Sequence, residues 1–186
     1  MNTTERLKPI SNASPRLTAR IAGVLYFLSV VLGVFNEFVV HGRLGFLGTL
    51  FPVLCQVVLT LLLYTIFTPV NRGLSLLAVC SQLVGLIFEV LLWQPRDVNV
   101  AMVFHGFYCL LIGWLISRSS FLPRILGLFM AFAGVVWLTY LFPLLADRVT
   151  PYNTASGLLG EVLPMLWLLV VGLNEQRWKE QAGTAG

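Results

Sequence analysis

Six apolar stretches separated by short polar connectors set the pattern along the chain. They run Ile21–Val40, Phe46–Phe67, Gly73–Trp93, Val98–Ser117, Leu122–Ala146 and Ala155–Leu173. Each approaches the ~20 residues needed to cross a hydrocarbon core about 30 Å thick. The runs are continuous rather than alternating, which excludes a transmembrane barrel. In lipid each backbone amide has to find a partner within its own segment, so the runs are predicted helices. The expected fold is all-α, an integral membrane bundle of six transmembrane helices. A transmembrane domain over residues 20–174 is flanked by tails at 1–19 and 175–186.

Prolines punctuate this pattern. Pro69, Pro95 and Pro123 stand at or near helix boundaries, where a missing amide costs least. Pro52, Pro143 and Pro164 lie inside apolar runs and are expected to kink the second, fifth and sixth helices. Connectors this short join antiparallel neighbours, which makes three helical hairpins.

A period of 52 residues reinforces the hairpin reading. Arg20, Arg72 and Arg124 each open an odd-numbered run, and Gly23, Ser75 and Gly127 follow three positions later. Leu25, Ser29, Gly33 and Glu37 correspond to Leu77, Ser81, Gly85 and Glu89; the fifth run departs, with Phe129, Ala133, Trp137 and Leu141. This is the pattern of a triplicated hairpin, against which stands the small residue alphabet of membrane helices. Ser29/Gly33, Ser81/Gly85, Gly127/Ala131 and Ser156/Gly160 are small-xxx-small pairs, read as packing seams.

Composition agrees with the pattern. Of 186 residues 58% are apolar or aromatic and 11% charged, whereas soluble domains carry about 25% charged residues. Charge placement adds orientation. Nine basic residues fall on the side of the termini and three, Arg43, Arg96 and Arg148, on the other. The positive-inside rule then puts both termini in the cytoplasm, and the basic balance needs no nucleic acid to explain it. The first run is long enough to span and shows no Ala-x-Ala cleavage site, so a cleaved signal is not expected. The sequons at Asn2 and Asn12 lie on a cytoplasmic tail and carry no meaning there. Cys55, Cys80 and Cys109 fall inside the runs without CxxC spacing and read as small buried hydrophobes.

The candidate chemistry is confined to the ionisable residues within apolar runs. A charge at the bilayer centre costs at least ~2.5–3.5 kcal/mol, so its presence points to use. Glu37, Glu89, His105 and Glu161 all fall in the half away from the termini, roughly 5–11 Å below that boundary. Tyr108, Tyr140 and Asn36 lie at a similar depth, with Trp93, Asp97, Arg148 and Tyr152 above them. Glu161 closes the stretch Gly157-Leu158-Leu159-Gly160-Glu161, where two glycines leave room around its carboxylate. Such a set binds a divalent metal, relays a proton, acts as acid and base on a lipid-borne substrate, or pairs with arginines to lock the bundle. Glu37 and Glu89 also suit solvated interfacial positions, and His105 an interhelical hydrogen bond. The residues themselves choose no metal, cofactor or catalytic group. Walker, GxGxxG, HExxH, GxSxG and CxxC motifs are absent, so ATP-driven transport, nicotinamide chemistry and serine hydrolysis have no support in the sequence.

The stretches Phe104-His105-Gly106-Phe107-Tyr108 and Phe121-Leu122-Pro123-Arg124-Ile125-Leu126-Gly127 carry a resemblance, as do Gly160-Glu161 and Leu166-Trp167-Leu168-Leu169. Leu63-Tyr64 and Pro69-Val70-Asn71-Arg72-Gly73-Leu74 continue it. The chain resembles the multi-pass membrane family catalogued as domain of unknown function 4386. The resemblance covers nearly the whole length, is strongest from Phe104 to Trp178 and weakest from Val39 to Thr49. It implies a helical bundle of the bacterial inner membrane and no activity. Three functions stay open: binding or transport of a small or lipid-like ligand through an outward-facing polar site, a non-catalytic assembly component, and an intramembrane enzyme. Membrane lipid is the expected partner, and the small-residue seams would also serve a homo-oligomer.

Overall fold

The structure is a computed structural model that describes residues 14–39, 43–91, 95 and 98–184, of which 36–39, 43–47 and 184 are described by backbone only. Eight α-helices are present among them: α1 (Pro15–Val39), α2 (Arg43–Phe67), α3 (Arg72–Leu91), α4 (Val100–Arg118), α5 (Arg124–Trp137), α6 (Pro143–Val149), α7 (Tyr152–Val170) and α8 (Glu175–Thr184). Six helical segments are long and apolar enough to cross a membrane: Pro15–Phe35, Gly48–Phe67, Arg72–Leu91, Val100–Arg118, Arg124–Leu141 and Tyr152–Val170. The chain is an all-α multi-pass membrane bundle.

Local chemistry sets the helix ends, and three differ from the sequence expectation. Helix α1 begins at Pro15, ahead of the expected Ile21. Ser14 caps it by accepting from the Leu17 amide at 3.2 Å, and Pro15 supplies the ready-made φ of a first turn. The fifth run is broken rather than kinked. α5 stops at Trp137, a 3-10 turn follows over Leu138–Leu141, and Pro143 opens α6 as its first residue. A proline removes one amide and clashes with the carbonyl four residues back, so the helix gives way ahead of it. The C-terminal segment, expected as a solvated end, forms α8. Gly172 at φ 76° ends α7 in the left-handed conformation, and Asn174 caps the new helix by accepting from the Arg177 amide at 3.1 Å. Trp178 anchors α8 by donating from Nε1 to the Ile66 carbonyl at 2.9 Å.

Each spanning helix packs against its chain neighbours, and α1 closes the circle against α7. The result is a six-helix ring in chain order. Lipid takes the outward faces, where Leu61, Leu76, Leu128, Leu159 and Val170 stand exposed. The seams lie inside the chain. A Cβ on Gly113 would sit 2.7 Å from the Ala131 nitrogen and the Gly127 carbonyl oxygen, so α4 and α5 touch backbone to backbone. Gly85 faces α4 and Gly160 faces α5 in the same manner, while Gly33 has no neighbour within 4 Å among the described residues.

The 52-residue period reappears in burial. Residues 23, 26 and 29 are buried, as are 75, 78 and 81, and 127, 130 and 133. Side chains one or two periods apart meet inside the ring: Tyr26 Oη lies 3.9 Å from Met130 Sδ, and Cys109 Sγ lies 3.9 Å from Glu161 Oε1. Equivalent positions of the three hairpins thus turn the same face inward.

Candidate functional site

Glu161 is the centre of the polar interior. It projects from the middle of α7, with 3% of its surface exposed, while Gly157 faces the Trp137 ring and Gly160 the backbone of α5. A carboxylate so buried requires donors, and three helices supply them. Tyr26 from α1 donates its hydroxyl to Oε2 at 2.5 Å. Trp137, at the end of α5, donates its indole N–H to Oε1 at 2.5 Å. His105 from α4 brings Nε2 to 3.0 Å from the same Oε1. Gly157 is what admits the indole: a Cβ there would stand 2.7 Å from the Trp137 ring.

A second layer orients the first. Gln82 of α3 places its carboxamide oxygen 3.0 Å from His105 Nδ1. With the carboxamide oxygen turned toward the ring, this hydrogen bond assigns a proton to Nδ1. Cys109, one turn along α4 from His105, holds Sγ 3.6 Å from Nε2. Trp137 packs edge-on against the imidazole and Tyr108 tilts against its other side, with ring centroids 5.9 Å apart in each case. One hydrogen-bonded set thereby ties α1, α3, α4, α5 and α7 together.

The residues expected to share a polar layer separate into distinct roles. His105 and Glu161 meet directly. Glu89 is half-buried and within electrostatic reach of His105, without a hydrogen bond to it among the described residues. Tyr108 lines the hub, but its buried hydroxyl points beside Thr60 and makes no hydrogen bond of sound geometry. Tyr140 stands apart, sharing a 2.9 Å hydrogen bond with Thr154 and stacking on Trp137. The side chains of Glu37 and Asn36 lie outside the described residues, as do Trp93, Arg96 and Asp97.

Four contributors had escaped the sequence reading: Tyr26, Gln82, Cys109 and Trp137. Of the cysteines read as buried hydrophobes, Cys55 is buried, Cys80 is exposed on the outer face, and Cys109 belongs to the polar hub. A signal existed for two of the four. Cys109 lies one period before Glu161, and Trp137 occupies the place of Gly33 and Gly85.

The hub is asymmetric along the bundle axis. The His105 side chain keeps 15% of its surface exposed, against 4% for Glu161. On the side of the chain termini, a cavity of about 10 Å³ is lined by Tyr26, Leu63, Ile112, Leu126, Met130 and Leu168. That is about the room of one water molecule, between walls that offer it little to bond. The arrangement can hold a proton or a small ion, and it can fix the tautomer of one imidazole.

The chain matches the family model described as Domain of unknown function (DUF4386) over residues 41–93 and 94–172. Gln82 and Glu89 fall in the first segment, and His105, Cys109, Trp137 and Glu161 in the second. An uncharacterized protein of Archaeoglobus fulgidus is 28% identical over 138 residues, which is 67% of this chain and 82% of that protein. No solved structure matches the chain significantly.

Proposed function

Since the chain belongs to the family described as Domain of unknown function (DUF4386), we propose its function from its own chemistry: it binds a small ligand or ion at the His105–Glu161 hub. Access is from the side that carries Glu89. The observation behind this reading is the 3.0 Å approach of His105 Nε2 to Glu161 Oε1 while Nδ1 already spends its proton on Gln82. Nε2 and Oε1 at that distance share a proton, and a cation that displaces it finds both acceptors already in place. An ionisable pair is costly in the membrane interior, which favours a use beyond packing. The greater exposure of His105 and the half-buried carboxylate of Glu89 favour arrival from that side. With nine basic residues on the side of the termini, that side is cytoplasmic and Glu89 faces outward from the cytoplasmic membrane of a bacterial cell.

The assembly reading keeps one seam, because Gly85, Gly127 and Gly160 pack within the chain whereas Gly33 meets nothing within 4 Å among the described residues. Native mass spectrometry of the protein released gently from membranes tests the reading, with Glu161→Gln/His105→Ala alongside. A bound mass present in the wild type and lost from the variant supports a ligand site. Identical spectra from two folded proteins would remove it.

A further inference from the structure

We propose that His105, Cys109 and Glu161 form a binding site for one divalent transition-metal ion of the zinc class. The inference rests on the reading of the hub as a ligand site and names the ligand. Its first support is distance. Nε2 of His105, Sγ of Cys109 and Oε1 of Glu161 make a triangle with sides of 3.0, 3.6 and 3.9 Å. A point equidistant from the three atoms lies about 2 Å from each, where zinc bonds to nitrogen, oxygen and sulfur run about 2.0–2.3 Å. The donors already stand at coordination distance around one point.

The second support is the proton inventory. With Nδ1–H committed to Gln82, the lone pair of Nε2 faces both the carboxylate and the thiol. A proton satisfies that geometry in the metal-free form and a metal ion satisfies it equally. Imidazole, thiolate and carboxylate together suit zinc and its neighbours in the transition series, not magnesium or calcium, which take oxygen ligands.

Charge supplies the third. A thiolate and a carboxylate cancel a dication, and the imidazole stays neutral. The metal-free residues also sum to zero, with one proton shared between Nε2 and Oε1 and one on the sulfur. Loading therefore exchanges the ion for about two protons and leaves the site neutral in both forms. Neutrality is what a site within lipid requires. The outer shell fits as well: Gln82 holds the imidazole, and Trp137 and Tyr26 hold the carboxylate. Three protein ligands leave a fourth position free, the arrangement of an exchangeable site rather than a closed structural one.

The test is a titration of the purified protein in detergent micelles with Co²⁺ and Zn²⁺ under weak buffering. One ion per chain is expected, with a thiolate-to-cobalt charge-transfer absorption and release of about two protons. Cys109→Ser should abolish that absorption and reduce the release to about one proton. Gln82→Leu should keep the absorption and weaken binding about 10–100-fold. Cobalt binding without the absorption, a titration unchanged by Cys109→Ser, or no ion bound by the folded wild type would each overturn the metal site. An organic mass lost from Glu161→Gln but kept by Cys109→Ser would overturn it too, and would leave the ligand-site reading standing.

Discussion

Trp137 Nε1 and Glu161 Oε1 stand 2.5 Å apart in the interior of the ring, with Gly157 making room for the indole. The tryptophan ends α5, and its N–H has no water to turn to. Trp137→Phe keeps most of the ring volume and removes the donor. It should destabilise the protein by about 1–3 kcal/mol, the cost of leaving a buried acceptor short of a partner. Reversible unfolding in mixed micelles measures this, and a change within about 0.5 kcal/mol would mean that the bond carries no stability.

The glycines of the ring are not equivalent. Gly113→Ala places a methyl group against backbone of α5, which cannot rotate away, whereas Gly33→Ala meets nothing within 4 Å among the described residues. Gly113→Ala should lower the melting temperature, and Gly33→Ala should leave it unchanged or raise it by the helix-propensity gain of about 0.5–1 kcal/mol. Equal effects of the two would contradict the close approach of α4 and α5.

Helix α8 is tied to the bundle at Ile66 and at Ser120. Trp178 Nε1 bonds the Ile66 carbonyl, and Gln181 Oε1 accepts from the Ser120 amide at 3.0 Å. Trp178→Phe should accelerate amide hydrogen exchange across α8 while α4 and α5 keep their protection. Uniform acceleration would show that α8 holds the whole bundle.

Orientation is read by labelling. Asp147 on α6 and Gln176 on α8 are both exposed and lie at opposite ends of the bundle. In intact cells a membrane-impermeant maleimide should modify Asp147→Cys and spare Gln176→Cys, with the wild type as background. The reverse pattern would invert the topology drawn from the basic residues.

Much of this molecule was legible in its sequence, for physical reasons that also mark where reading stops. The spans were legible because lipid tolerates only helices of a minimum length. Glu161 and His105 were legible because an ionisable group in an apolar run is costly enough to stand out. Tyr26, Trp137 and Cys109 are ordinary in membrane helices, and nothing local marks them as partners of a carboxylate. Their role depends on which face each helix turns inward, and that follows from the ring closing between α1 and α7. The break before Pro143 escaped for a similar reason. A proline in a membrane helix either kinks it or ends it, and the outcome turns on whether neighbours satisfy the freed carbonyls.

The register of the ring has a consequence for how such a centre can exist at all. One position of the 52-residue period is Val57 in the first hairpin, Cys109 in the second and Glu161 in the third. Three separate copies of one hairpin would bring identical side chains to this level. Three carboxylates there would repel, three valines would hold no ion, and three thiols would lack the oxygen and imidazole beside them. In this single chain the three places differ, so the interior at this level is chemically uneven.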